Sequence, residues 1–222
     1  MTMYVSEPIE IGPGLVPGAR RVQNAKKDIV EAIGRKGLLG HRGQSLVAIA
    51  AADLARTEVL GDALGVAASV GVVVVAPQTS REAVLEVNKL AQEGRFRVVS
   101  ILDAPNVSPN VVSASVSIRL GAQGPAFTID NRSGGIPGAW RLTTAMLATG
   151  RCSQVLLVEI VEDPSLDGPL PAAVAVVVSA DESAATPYAV AGLGTVDDDS
   201  TCGTAALLAP VWPELVGLEA VA

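Results

Sequence analysis

Apolar positions along this chain fall either in short unbroken runs or in stretches where they recur every three or four residues. Ala68 to Ala76 is apolar and rich in β-branched residues, the pattern of a strand buried on both faces. Gln154 to Val161 and Ala172 to Ser179 repeat that pattern. Within residues 2–11, Met3-Tyr4-Val5 and Ile9-Glu10-Ile11 predict a first strand, followed by a Gly/Pro-rich turn through Pro17-Gly18. Elsewhere the period is helical. Val22, Ala25, Ile29 and Ile33 mark one helix, which Gly34 and Gly37 end. Gln44 to Leu60 is alanine-rich and apolar on nearly every side, predicting a buried helix. Thr79 to Glu82 reads as a helix start that Ala83 to Leu90 carries to Gly94. Phe96 to Leu102 predicts a strand, Asp103 to Asn110 a loop, and Val111 to Leu120 a helix. Gly124-Pro125 then turns the chain into a short apolar strand, a polar elbow from Asp130 to Gly135, and a helix ending near Gly150. Pro187 to Gly194 predicts a last strand, and Thr201 to Ala222 a loosely helical tail broken by Pro210 and Pro213.

Strands alternating with helices, then strands in succession, predict an α/β fold. The expected sheet is mixed, mostly parallel and five-stranded, with helices on both faces and an antiparallel strand at its edge. Composition agrees: 49% of the 222 residues are apolar and only 3% aromatic, as in a buried sheet under alanine-rich helices.

The net charge of −7 argues against nucleic acid as a general partner. Seven of the sixteen basic residues nevertheless fall in the first 42 positions: Arg20, Arg21, Lys26, Lys27, Arg35, Lys36 and Arg42. That cluster is either a docking patch for an acidic partner or a solvated helix face. Acidic residues and prolines in Met1 to Pro17 predict no signal peptide, and Val70 to Pro77 is too short an apolar run to span a bilayer. With only Cys152 and Cys202, free thiols in a cytoplasmic protein are expected, and no membrane association. His41 alone excludes a histidine-rich metal site and reads as a loop or core residue; no metal and no cofactor are expected. Asp197-Asp198-Asp199 reads as a cation ligand set or a solvated turn, and Cys152 as a small buried residue.

Several segments resemble the N-terminal half of a β-ketoacyl synthase, a condensing enzyme of the thiolase fold. Pro105-Asn106, Pro109-Asn110, Val116 to Gly121 and Gly124-Pro125 are similar to that family's "PN…(V/I)SxxxGxxGP" run. Thr128-Ile129-Asp130 matches its "T(V/I)D", Val155 to Glu159 its following strand, and Ala172 to Val178 its "GAAAxVL" strand. Ser45 to Ala52 resembles its alanine-rich helix. The likeness is strongest over residues 100–180, weaker over 40–100 and absent from the tail. It implies a thiolase-like half-fold over 1–200 and a C-terminal tail over 201–222.

Those enzymes carry a nucleophilic cysteine in the elbow. Counting from the Gly-Pro turn and back from Gly150 both lead to Ser133, so the resemblance puts a serine where the thiol belongs. Their catalytic histidines come from a second half with no counterpart in these residues, which implies a truncated relative. A serine hydroxyl needs a base to become a nucleophile. A cysteine at a helix start is self-activated by the dipole and the free N–H groups.

Ser133 is thus either an inert occupant of the catalytic position or an acylated serine served by a base from elsewhere. Asn131, Arg132, Gly134 and Gly135 are the expected substrate-side neighbours. Arg132 would close an acyl tunnel, pair with a partner, bind a phosphopantetheine phosphate or serve as a plain structural contact. Gly134, Gly135 and Pro137 predict a helix that starts slightly later than in an active synthase.

The resemblance implies a non-condensing subunit or chain-length-type partner in bacterial polyketide or fatty-acid biosynthesis. The alternative is an acyltransferase or thioesterase acting through Ser133. Expected partners are an acyl carrier protein or CoA thioester, and a full-length ketosynthase or a second copy. In the family the strand before the elbow pairs with its mate across a dimer, which makes Pro125 to Asp130 the expected interface strand.

Overall fold

The structure, a computed structural model, describes residues 4–6, 8–16, 18–35, 43–60, 70–77, 81–98, 107–130, 135–162 and 170–179. The predicted strand over 187–194, the tail, His41, Cys202 and the 197–199 acidic run lie outside them. Among the described residues seven strands make one sheet: β1 (Tyr4–Val5), β2 (Ile9–Ile11), β3 (Arg20–Val22), β4 (Val70–Ala76), β5 (Ala126–Asp130), β6 (Gln154–Val161) and β7 (Ala172–Ser179). Five α-helices of the described residues accompany them: α1 (Lys26–Ile33), α2 (Gly43–Ala55), α3 (Arg81–Gln92), α4 (Val111–Leu120) and α5 (Gly135–Ala148).

The sheet runs β3-β2-β7-β6-β4-β5, with β1 on the same edge of β7 as β2. Parallel pairs join β2 to β3, β4 to β5 and β4 to β6, while β7 is antiparallel to β1, β2 and β6. Among the described strands β7 alone therefore runs against the rest. It is interior to the sheet, because the N-terminal strands add on beyond it. Five strands become seven because the N-terminal segment contributes three short pieces. Between β1 and β2 the ladder passes through Ser6, whose N–H donates to Val177 O and whose hydroxyl accepts from Val177 N–H, both at 2.9 Å.

Every residue of β4 and β7 is buried, so side chains alternate between two apolar layers. On one face Val72, Val74, Leu156, Val158, Ile160, Ala175 and Val177 pack with Ile9 and Ile11 under α2 and α4. On the other, Val73, Val75, Val155, Leu157, Val176 and Val178 pack under Ile136, Ala139, Met146 and Leu147 of α5. Helices thus lie on both faces. Helix α2 is buried from Ser45 through Ala55, as its all-round apolar sequence requires, and a π-helical turn (Arg56–Leu60) replaces the expected last stretch of α-helix. Asp53 of α2 holds Arg119 of α4 through contacts of 2.7 and 2.9 Å. Those hydrogen bonds raise the guanidinium pKa above its ordinary value, so the arginine stays charged.

Two sequence expectations change. Val22, assigned to the first helix, closes β3 opposite Ile11, and α1 starts at Lys26. Phe96–Val98 is a 3-10 turn rather than the start of a strand. Glu10, which alternation alone would put on a polar face, is fully buried. Its carboxylate accepts the N–H groups of Gly14, Leu15 and Val16 at 2.6 to 3.0 Å and folds the Gly/Pro-rich loop about itself.

Candidate functional site at the margin of the sheet

The elbow lies between β5 and α5, at the carboxyl end of a marginal parallel strand. In parallel sheets such ends gather ligand sites. The αL residue Gly121, at φ +71°, ends α4: its N–H and that of Ala122 donate to Ile118 O and Ser117 O. Gly124-Pro125 then brings the chain against β4. A Cβ on Gly124 would meet the backbone of Val70 and Gly71, so only glycine permits this approach. Gly124 N–H donates to Val70 O at 3.1 Å and Val72 N–H to Pro125 O at 2.9 Å, which sets the register that pairs Ala76 with Asp130.

Helix α5 begins at Gly135, a buried residue at φ +45°, and Pro137 falls in its first turn, where a missing N–H costs nothing. The first turn of a helix offers unpaired N–H groups and the positive end of the dipole, a setting that stabilises an anionic oxygen. Asn131, Arg132, Ser133 and Gly134 lie outside the described residues. Of the five expected site residues, Gly135 is the one described, and it is the buried, left-handed start of the helix. Glu159 sits nearby. The register Ile129–Val75–Glu159 puts this buried carboxylate in one row with the carboxyl end of β5, on the sheet face that α5 covers. A lone acid inside the apolar run Val155 to Val161 was the signal for it.

The thiol of Cys152 is no candidate nucleophile. It is buried beneath α5, with its sulfur 3.2 Å from where a Cβ on Gly71 would sit, and burial pushes its pKa up. The basic residues Arg20, Arg21, Lys26, Lys27 and Arg35 are exposed on β3 and in or beside α1. Five strand steps separate β3 from β5, about 24 Å, so this patch and the elbow occupy opposite margins. Among the described residues no helix is long and apolar enough to cross a membrane, and no group of His, Cys, Asp or Glu is gathered to hold a metal ion.

No family model matches the chain, and no curated protein matches it. Solved structures do. The ishigamide ketosynthase/chain length factor aligns at a TM-score of 0.59 and 20% identity, over 86% of this chain and 65% of that one. A type II polyketide synthase acyl carrier protein in complex with its ketosynthase bound to the hexaketide (AntDE:AntF) gives 0.55 and 14%, over 80% and 57%. The ketosynthase ApeO in complex with its chain length factor ApeC, from Xenorhabdus doucetiae, gives 0.53 and 12%, over 81% and 79%. The chain therefore spans less than two thirds of the first two. These likenesses show the fold: this is a thiolase-like, β-ketoacyl-synthase-like α/β architecture.

Proposed function

We propose that this chain is a non-condensing, chain-length-type subunit that works beside a condensing ketosynthase in bacterial polyketide or fatty-acid assembly. The observation that carries the reading is Ser133. Two sequence counts, from Pro125 and from Gly150, put a serine where the family's nucleophilic cysteine stands. A hydroxyl at a helix start stays protonated at neutral pH, whereas a thiol there ionises. An acyl serine would also be an oxygen ester, a weaker acyl donor to a carbanion than a thioester. The chain thus keeps the strand and helix that flank the elbow and gives up the condensing chemistry.

Two further observations support this reading. Ketosynthase and chain length factor appear together in the names of two similar structures, and the β5–α5 frame about the elbow is intact. Under this reading Asn131, Arg132, Gly134 and Gly135 shape the acyl side of the pocket. The acyl group arrives on a carrier protein or CoA in the cytoplasm, and the chain acts in an oligomer.

Co-expression with a condensing ketosynthase tests it. A stoichiometric complex whose product output is unchanged by Ser133→Ala is the expected result. Absence of a complex, or loss of product on that substitution with the complex intact, contradicts the proposal.

A further inference from the structure

Charge is divided unevenly along this chain. No lysine or arginine follows Arg151, and residues 180–222 carry seven acids, three of them in the run Asp197-Asp198-Asp199. That is as much negative charge as the net −7 of the whole chain. The positive counterpart is the β3 margin. Over residues 18–35 five bases, Arg20, Arg21, Lys26, Lys27 and Arg35, stand against two acids, Asp28 and Glu31. All five bases are exposed.

Little on the margin answers that charge. Arg21 Nη1 donates to the Pro13 carbonyl at 3.1 Å, a neutral acceptor. The Glu10 carboxylate on the neighbouring strand is taken up by the N–H groups of Gly14, Leu15 and Val16. Among the described residues Lys26, Lys27 and Arg35 have no ion-pair partner. Like charges gathered in this way repel one another, and an anionic segment laid across them removes the repulsion. The acidic segment starts close by. It follows Ser179, the end of β7, which borders β2, which in turn borders β3. Two strand steps, about 10 Å, therefore separate β7 from the charged margin. Through Ile9 the register sets Arg20 level with Ala175, so Ser179 lies about 13 Å further along β7. Asp197 is eighteen residues beyond Ser179, a length that spans up to about 60 Å when extended. Every base of the margin is within that reach.

We propose that the acidic run Asp197-Asp198-Asp199 docks on the basic β3–α1 margin of its own chain, as an internal competitor that any acidic partner must displace. Tethering favours the chain's own segment over a free one, because a site within reach of a tether meets it at an effective concentration on the order of millimolar. The segment carries no base to weaken the match. The contact is electrostatic, so it holds at low ionic strength and releases as salt screens it. An acidic protein then finds the margin open only in the fraction of molecules whose run has let go, which sets a threshold on the affinity it needs. The inference rests on charge and topology and is independent of the role of Ser133.

Carbodiimide cross-linking of the full chain, read by peptide mass spectrometry on the monomer and dimer fractions separately, tests it. Amide links from Lys26 or Lys27 to Asp197, Asp198 or Asp199 should form in the monomer at about 0.01 M salt. Their yield should fall by about fivefold or more at about 1 M, as the screening length shrinks from about 30 to about 3 Å. Lys89, exposed on α3, is the control and should link to the same run at a small fraction of that yield. Binding of a fluorescent decaglutamate peptide gives a second readout. Its affinity should rise about tenfold when Asp197→Asn, Asp198→Asn and Asp199→Asn are combined, as for a margin nine-tenths occupied in the native chain. Adding Lys26→Ala and Lys27→Ala should abolish that gain. Absence of the links, links confined to dimers, an equal yield from Lys89 or a yield indifferent to salt overturns the proposal. So does an unchanged peptide affinity in the triple variant.

Discussion

The two margins of the sheet are built in opposite ways. At the β3 margin the chain exposes charge: Arg20, Arg21, Lys26, Lys27 and Arg35 reach solvent, and the loop behind them is held by one buried carboxylate, Glu10. At the β5 margin large apolar side chains reach solvent as well. Phe127 of β5 and Ile118 of α4 are both exposed, Ile118 by 82%. The backbone there is held by directed polar contacts of Asn110, Ser113 and Thr128. The difference separates two kinds of recognition. A charged margin attracts at long range and weakens with salt, whereas an apolar margin with ordered hydrogen bonds selects partners by shape.

Substitutions at each margin sharpen the contrast. Gly124→Ala should have the largest effect, a loss of about 3 kcal/mol or more by denaturant unfolding. The added carbon meets backbone, which has no rotamer to escape into. At the other margin Glu10→Ala leaves three amides without their acceptor and should cost about 2–3 kcal/mol, part of it restored by Glu10→Gln, which keeps one acceptor oxygen. Thr128→Val keeps the volume and removes one hydroxyl, for a cost of about 1 kcal/mol, while leaving the Thr128 amide bond to Asn110. Lys27→Ala with Arg35→Ala should change stability by less than about 0.5 kcal/mol and register in binding to acidic partners alone.

The centre between the margins supplies a pH test. The folded-state pKa of Cys152 is raised above its ordinary value of 9.0 by burial. Its contribution is therefore complete below the unfolded thiol's pKa and is lost as pH rises through the folded value. Urea midpoints should fall above about pH 9 in the native protein and fall less in Cys152→Ala.

The sequence is most legible in unbroken apolar runs and between clear helix boundaries. Gln154–Val161, Ala172–Ser179 and Val111–Leu120 have the same bounds in the chain's pattern and in the fold, because unbroken apolar runs and a capped helix allow one solution. Where a segment's partner is distant in sequence, pattern fails. Val22 continues a helical spacing yet pairs with Ile11, and Glu10 alternates like a surface residue yet sits at the centre of a loop. The strand–elbow–helix frame was legible from Gly124-Pro125 and Gly150. The hydrogen bond from Thr128 to Asn110 was not, since it joins residues eighteen apart that no local pattern connects.

The central claim, that the elbow keeps the frame of a condensing site without its chemistry, is tested most directly by intact-mass measurement. The purified chain, Ser133→Ala and Ser133→Cys are each incubated with an acyl-CoA and with an acyl carrier protein thioester. The account predicts no acyl adduct on the native chain or on Ser133→Ala, and an adduct on Ser133→Cys, where the helix start activates a thiol. An adduct on the native chain that disappears in Ser133→Ala would contradict it and assign acyl transfer to the serine.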